Sequence, residues 1–422
     1  MTVIAGGPLT PRAERALDVL NFVLADVRYG LGPYAIVYLM TQHAWDEAGI
    51  ALAFSFGGAA GLASQVAVGA MVDAVRAKRA LLVGALMAAT AAAFAVVAAP
   101  SFWPVAAAVV AGALANSTIG TTMAAISLGV VGPARFARRA ARNEALFHAG
   151  SAVVNLAVLA AAPRFGVAVV FWMLAAAAAA SAAMVLAVPA RAINHAVARG
   201  LPPKVAEPNC RPSPLGALLT SRPLLLFAAC GALFHLANAS MLGLVVQRAS
   251  RADPGSAVAL AAAAMIAAQV AMVATAALCG ARADAWGRRP FFLAAFTALA
   301  LRGALYTLSD QPAWTLAVQL LDGVGVGVFG ALFPVVVADL ARGSGRFNAA
   351  QGVVGMVHSV GGILSVPLTG AVVVRAGYDA AFLAGASVAA LGGALFWLAM
   401  PETGGTGPAA EANHAAAPLS SS

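Results

Sequence analysis

Roughly twelve times along its length the chain sets out about 20 mostly apolar residues in a row, the number a helix needs to cross a hydrocarbon layer. These runs fall near 17–40, 47–72, 80–99, 103–131, 143–163, 166–188, 220–247, 257–279, 290–308, 313–340, 348–374 and 379–400. Charged residues make up 10% of the 422 residues and apolar ones 62%. A soluble domain carries about 25% charged residues, so this chain has too little polar surface to face water all round. The solvent for most of it is lipid. The runs are long and lack the short alternating pattern of barrel strands, so they read as helices, which pair their own backbone groups.

Orientation follows from Lys and Arg. With the N-terminus inside, 19 of the 25 basic residues fall in inside segments, in clusters such as Arg76, Lys78, Arg79 and Arg135, Arg138, Arg139, Arg142. Outside loops hold only Arg164, Arg248, Arg251 and Arg375. The positive-inside rule puts both termini in the cytoplasm, and the expected location is a bacterial inner (plasma) membrane. The net charge of +9 does not point to nucleic acid, because the charges sit in short islands between apolar runs. Three cysteines, Cys210, Cys230 and Cys279, are too scattered for a disulfide framework or a zinc site. The first ten residues lack the basic-then-apolar pattern of a cleavable signal. The expected organisation is a cytoplasmic tail 1–15, a six-helix bundle 16–189, a Pro- and Arg-containing cytoplasmic linker 190–219, a second six-helix bundle 220–400 and a disordered tail 401–422.

The two bundles are copies. At one offset of 211 residues, Gly69 matches Gly280, Asp73 matches Asp284, Trp103 matches Trp314 and Gly112 matches Gly323. The same offset carries Arg135-Phe136 onto Arg346-Phe347, Gly150 onto Gly361, Gly166 onto Gly377 and Phe171 onto Phe382. No gap is needed from 69 to 171, so six helices were duplicated in parallel.

Between spans 2 and 3, and again between 8 and 9, the pattern Gly-x-x-x-Asp-x-x-Gly-Arg-Arg/Lys resembles the signature loop of the major facilitator superfamily. The second copy is close, with Gly280, Asp284, Gly287, Arg288 and Arg289. The first keeps Gly69, Asp73 and Lys78 but has Arg76 in place of the glycine and Ala77 in place of the arginine. The resemblance covers about residues 15–400. It implies an all-α integral membrane protein of twelve transmembrane helices in two pseudo-twofold-related six-helix bundles. It also implies a monomeric secondary transporter rather than an enzyme, with no cofactor, that rocks its halves around a central site. Glycines such as Gly57, Gly58 and Gly61 in span 2, or Gly323, Gly325, Gly327 and Gly330 in span 10, suit close helix contact.

An ionisable residue at mid-bilayer costs at least ~2.5–3.5 kcal/mol, so such residues face a cavity or a partner. Asp26 and Arg28 lie near the middle of span 1 and point about 200° apart. One faces the cavity and the other a neighbouring helix, and the sequence leaves the assignment open. At the repeat offset Asp26 corresponds to Ala237, flanked by His235 and Asn238, which share a helix face. The resemblance implies that spans 1, 4, 7 and 10 line the cavity. The candidate substrate and proton residues are therefore Asp26, Arg28, Asn116, His235, Asn238 and Asp322. For His148 and His358, an interhelical hydrogen bond is an equally good account. Counting residues from the outer ends of spans 9 and 10 brings Arg302 and Asp322 to similar depth, which predicts that they pair.

No phosphate-binding glycine loop is present, so ATP is not the direct energy source. Asp26 suits proton coupling. Export of small amphiphilic compounds is the first reading. Its motifs are incomplete, since span 5 lacks the Gly-Pro pair and span 4 the Arg of drug:proton antiporters. The alternative is a proton symporter importing an organic anion on Arg28, His235 and Arg302, and a non-transporting membrane sensor is a third class. For the cytoplasmic side, the resemblance implies a latch built from the motif loops. The second copy has every part: Asp284, Arg288, and Asp339 at the inner end of span 10. In the first copy Arg288 becomes Ala77 and Asp339 becomes Leu128, so base and acid are missing together. This predicts a lopsided latch, with Asp284, Arg288 and Asp339 clustered, and Asp73 acting through the N-terminal end of span 11 near Phe347 and Asn348.

Overall fold

The computed structural model describes residues 11–29, 32–202, 212–252 and 254–404. Among these, every regular element is a helix. Helices α1 (Pro11–Tyr29) and α2 (Gly32–His43) occupy the first expected span. The next five spans are α3 (Glu47–Ala74), α4 (Lys78–Ala98), α5 (Phe102–Val131), α6 (Pro133–Phe165) and α7 (Val169–Ala187). After the short α8 (Gly216–Thr220), α9 (Arg222–Asn238) and α10 (Met241–Ala252) share the seventh span. Then come α11 (Pro254–Trp286), α12 (Arg289–Leu305) and α13 (Pro312–Leu340). Finally α14 (Phe347–Ala399) runs through the last two spans, with Gly377 at φ 85° marking their joint.

Among the described residues nine helices are long and apolar enough to cross a membrane. Twelve spans become nine for three reasons. Two spans merge in α14, α12 has only 17 residues, and in the first span α1 carries six charged residues among its 19 while α2 has only 12 residues.

Local chemistry sets the ends. Asp46 caps α3 by accepting from the Gly49 N–H at 2.8 Å. Proline stands in the first turn of α6, α9 and α12, where its missing N–H has no partner to lose. The corners are glycines in left-handed backbone, and they recur at the repeat offset. Gly132 (φ 75°) answers Gly343 (φ 79°), and Gly166 (φ 76°) answers Gly377 (φ 85°). A side chain at any of these would be strained.

The chain forms two compact units, each discontinuous in sequence. The first holds residues up to Phe136, Leu146–Leu218 and Ala341–Met356. Within it α3 and α4 pack on α5, and α1 packs on α7. Leu39, Val105, Val109, Phe171 and Leu174 form a core against Trp45 and Phe102. The turn Val197–Arg199, in the segment expected as linker, lies against α5, where the Asn194 N–H donates to the Gly129 carbonyl at 2.9 Å. The second unit holds Ala137–Ala145, Leu219–Leu340 and the residues from Val357 onward. In it α11 and α12 pack on α13, and its core is a set of rings. Phe292 lies 4.9 Å from Phe329 and 5.3 Å from Phe396, centroid to centroid.

One pair of glycines shows that the duplication extends to packing. Gly150 of α6 sits so close to the backbone of Phe22 in α1 that a methyl group would overlap the carbonyl. Its repeat partner Gly361 of α14 meets the backbone of Ala232 in α9 in the same way. Lipid tails are as apolar as the helices, so burial alone does not drive such helices together. Close backbone approach does. The outer faces carry large apolar side chains, among them Trp172, Leu398 and Val374, the last 87% exposed. That surface suits lipid contact.

Candidate functional site

The two motif loops are built differently. In the second, Gly287 turns the chain at φ 85°, a backbone that Arg76 does not adopt in the first. This is the local reason the first copy can do without its glycine. The turn brings Arg288 back along α11, where its guanidinium lies 3.0 Å from Asp284 and donates to the Ala283 carbonyl at 2.9 Å. Its Nε is 3.6 Å from Asp339 at the C-terminal end of α13, an ion pair rather than a hydrogen bond. Arg288, Asp284 and Asp339 thus form one cluster. Gly280 packs against Ala141 within the same unit.

A third acid joins them. Glu402, just past α14, accepts from the backbone N–H groups of Arg288 at 2.8 Å and Arg289 at 3.0 Å. These are free donors at the start of α12, so the carboxylate caps that helix and complements its dipole. Arg289 itself reaches the Trp397 carbonyl. The only sequence signal for Glu402 was an acid directly after the last span, which the sequence reading counted with the tail.

In the first loop Lys78 is 1% exposed and donates to the Val72 and Val75 carbonyls at 2.8 and 2.9 Å, closing the C-terminal end of α3. Asp73 is buried and caps α14. It accepts from the Asn348 N–H at 3.1 Å, the Asn348 side-chain amide at 2.8 Å and the Ala349 N–H at 2.9 Å. Gly69, one turn earlier, lies against the backbone of Asn348 and Ala349, where a side chain would collide. These contacts are internal to the first unit, which takes in the start of α14.

Deeper in the second unit, Arg302 is 1% exposed and pairs with Asp322 at 2.6 Å, as the depth count requires. The rest of the guanidinium is satisfied by Asn238 at 2.6 Å, Gln319 at 3.1 Å and Tyr306 at 3.4 Å. Gln319 in turn donates to Asp322 at 3.1 Å and accepts from Tyr306 at 2.5 Å. Sequence reasoning missed Tyr306, although it stands four residues after Arg302 on the same helix face. Asn238 is therefore bound into the Arg302 network, while His235 turns to a group of rings around His358. Asn116 keeps a buried side-chain oxygen with no hydrogen-bond partner. The side chains of Asp26 and Arg28 lie outside the described residues.

A duplicated six-helix bundle with lipid-facing walls, buried ionic groups and charged loops after the second helix of each copy is the build of a membrane transporter. The chain belongs to the major facilitator superfamily, whose sequence model matches residues 17–272 and 229–421. Two relatives, from Mycobacterium tuberculosis strains CDC 1551 / Oshkosh and ATCC 25618 / H37Rv, are each described as an uncharacterized MFS-type transporter. Each is 46% identical over 402 residues, covering 95% of this chain and 96% of the relative. Among solved structures, the human organic anion transporter MFSD10 (TETRAN) superposes with a TM-score of 0.66 at 16% identity, over 92% of this chain and 100% of that one. The proton:xylose symporter XylE, bound to 6-bromo-6-deoxy-D-glucose, gives 0.67 at 12% identity over 93% and 96%. At those identities the likeness is one of fold. The protein is an integral membrane transporter of this superfamily.

Proposed function

We propose that the protein exports small amphiphilic compounds across the plasma membrane in exchange for protons, as a monomer working by alternating access with both termini in the cytoplasm. One observation favours this over uptake of an organic anion. Anion binding needs an available cation in the cavity, and of those named for uptake Arg302 is committed. Asp322 neutralises it at 2.6 Å, and Asn238, Gln319 and Tyr306 surround it. His235 offers ring contacts in place of a fixed charge. In its own helix, Asn116 offers a side-chain oxygen without a hydrogen-bond partner as one acceptor for a ligand.

In this reading Asp26 carries the proton, Asn116 and His235 contact substrate, and Asp322 is structural. The cluster of Asp284, Arg288 and Asp339, with Gly280, Gly287 and Arg289, forms one part of the cytoplasmic gate. Gly69, Asp73 and Lys78 form the other. The test is a proteoliposome assay with an imposed pH gradient and a panel of cationic, neutral and anionic compounds, reading the sign of proton flux. Proton entry coupled to substrate movement in the opposite direction supports export. Co-directional movement with organic anions establishes the alternative. Asp26→Asn is expected to express normally and lose gradient-driven accumulation, and normal accumulation by that variant removes Asp26 from the mechanism.

A further inference from the structure

The segment expected as a linker is packed like core. Ile193, Ala196, Val197, Ala198 and Leu201 are all buried, and Ala198 is 0% exposed. A connection that merely spans two bundles runs over the surface and keeps its polar groups in water. This one folds into a turn of its own. The Asn194 side chain accepts from the Val197 N–H at 3.1 Å, and the Asn194 carbonyl accepts from the Ala198 N–H at 2.9 Å. Gly200 reverses the chain at φ 89°, and the Leu201 N–H returns to the Ala196 carbonyl at 3.0 Å. With these donors paired internally, the turn can present an apolar side to the helices.

That side is keyed to α5. A side chain at Gly129 would meet the Ala198 Cβ at 2.9 Å, the Asn194 carbonyl oxygen at 3.0 Å and Ile193 at 3.1 Å. Ala198 joins Val68 and Val72 of α3, Ala125 of α5 and Leu81 of α4 in one small core. The other side is keyed to α14. The Ala198 carbonyl accepts from the Asn348 side-chain amide at 3.0 Å, the same amide that donates to Asp73 at 2.8 Å. The Gly200 carbonyl accepts from the Gly343 N–H at 2.8 Å, and the missing side chain of Gly200 leaves room for buried Phe347. Past residue 211, the Ser213 N–H donates to the Ser344 carbonyl at 2.9 Å, and the Ser213 carbonyl accepts from the Arg346 Nε at 2.8 Å. All of these contacts are internal to the first unit.

The repeat shows what the turn stands in for. In the second unit Arg288, at the start of α12, joins Asp284 of α11 to Asp339 of α13. At the offset of 211 those three helices are α3, α4 and α5, and the base and the acid of the Arg288–Asp339 pair become Ala77 and Leu128. The helices left without that pair are the ones that meet at Ala198, and Gly129 directly follows Leu128. The second copy also folds back after its sixth span. Glu402, at the offset of Arg191, caps α12. One copy returns a carboxylate to its motif loop, and the other returns an apolar turn.

We propose that residues 190–201 form a wedge that is the first copy's latch. It does by packing what Arg288 and Asp339 do by charge, and it holds the start of α14 on α3 through Asn348. The proposal goes beyond the exporter reading and holds for either direction of transport. It makes the linker a working part of the gate that contains Gly69 and Asp73, because parting α14 from α3 also costs the contacts of the wedge.

Hydrogen exchange in the purified full-length protein, with no substrate added, tests this. Gly129→Leu fills the seat of the wedge. Exchange should speed up at the Ala198 and Leu201 amides and, at least about tenfold, at the Asn348 and Ala349 amides. Those last two donate to Asp73 and not to the wedge. Amides within α7, and those of Arg288 and Arg289 in the second unit, should keep wild-type rates, so a general loss of stability would be seen as such. Freed wedge amides beside unchanged Asn348 and Ala349 amides make the segment a tether and overturn the proposal. A variant in which neither set changes overturns it too. Coupling is reciprocal, so Asp73→Ala should speed exchange at Ala198 and Leu201. If Gly129→Leu does not survive purification, or speeds exchange everywhere, Asp73→Ala decides alone. Faster exchange in the wedge with α7 unchanged supports the latch, and wild-type protection there overturns it.

Discussion

Replacing Asp322 by Asn removes a charge and almost no volume, so it isolates what the Arg302 pair is worth. The guanidinium is 1% exposed, and its anionic partner is Asp322 at 2.6 Å. Asn238, Gln319 and Tyr306 solvate the cation but are neutral. Breaking a buried pair from one side costs about 3–5 kcal/mol. At about 2 °C per kcal/mol, the melting temperature in detergent should drop by roughly 6–10 °C. Adding Arg302→Met takes away the stranded cation. Tyr306 can still donate to Gln319, and the new amide can donate to Asn238, so the double variant should lose only about 1–2 kcal/mol. It should therefore melt above the single variant and still accumulate substrate under a pH gradient. A double variant less stable than Asp322→Asn would show that the unpaired cation is not the source of the cost. Stability restored with gradient-driven transport abolished would return Asp322 to the proton pathway and refute the structural assignment.

Asp73→Ala should cost about 1–2 kcal/mol through loss of the α14 cap and speed hydrogen exchange at the Asn348 and Ala349 amides, and unchanged exchange there would rule Asp73 out as the cap. In transport assays Arg288→Ala and Asp339→Asn should impair to similar degrees, with the double variant little worse than either, whereas additive losses would show that the two act independently. Gly150→Val and Gly361→Val should each destabilise by about 1–3 kcal/mol in thermal unfolding, because each collides with backbone in the equivalent place. Gly84→Val, where no atom lies within 4 Å of a new Cβ, should be close to neutral, and equal behaviour of all three would undo the packing argument.

What could be read ahead of the structure was whatever depends on depth, period or the repeat. Arg302 and Asp322 meet because two antiparallel helices carry them at the same height, which counting residues reveals. Asp73 needed a different partner from Asp284 because Ala77 and Leu128 stand where Arg288 and Asp339 would be, and comparing the copies reveals that too. The rest depends on rotation about each helix and on contacts between distant segments. Nothing in the sequence turns Tyr306 and Asn238 toward one guanidinium, or lays His358 across Gly231, 127 positions away by residue number. Glu402 looked like tail because its value comes from two free N–H groups at the start of α12.

The capping of α14 by Asp73 has a consequence for how the protein is made. Asp73 and its partner Asn348 are 275 residues apart. At about 5–20 residues per second, the ribosome needs roughly 15–55 s to reach the second after the first. Throughout that interval the carboxylate at the end of α3 has no helix to cap, and the surface around Gly69 that later meets Asn348 and Ala349 is uncovered. Membrane insertion of the early helices therefore proceeds around an unfinished edge. A chain interrupted between the two bundles would leave that edge open for good, with an acid and a bare glycine surface offered to whatever quality-control machinery inspects that face of the membrane.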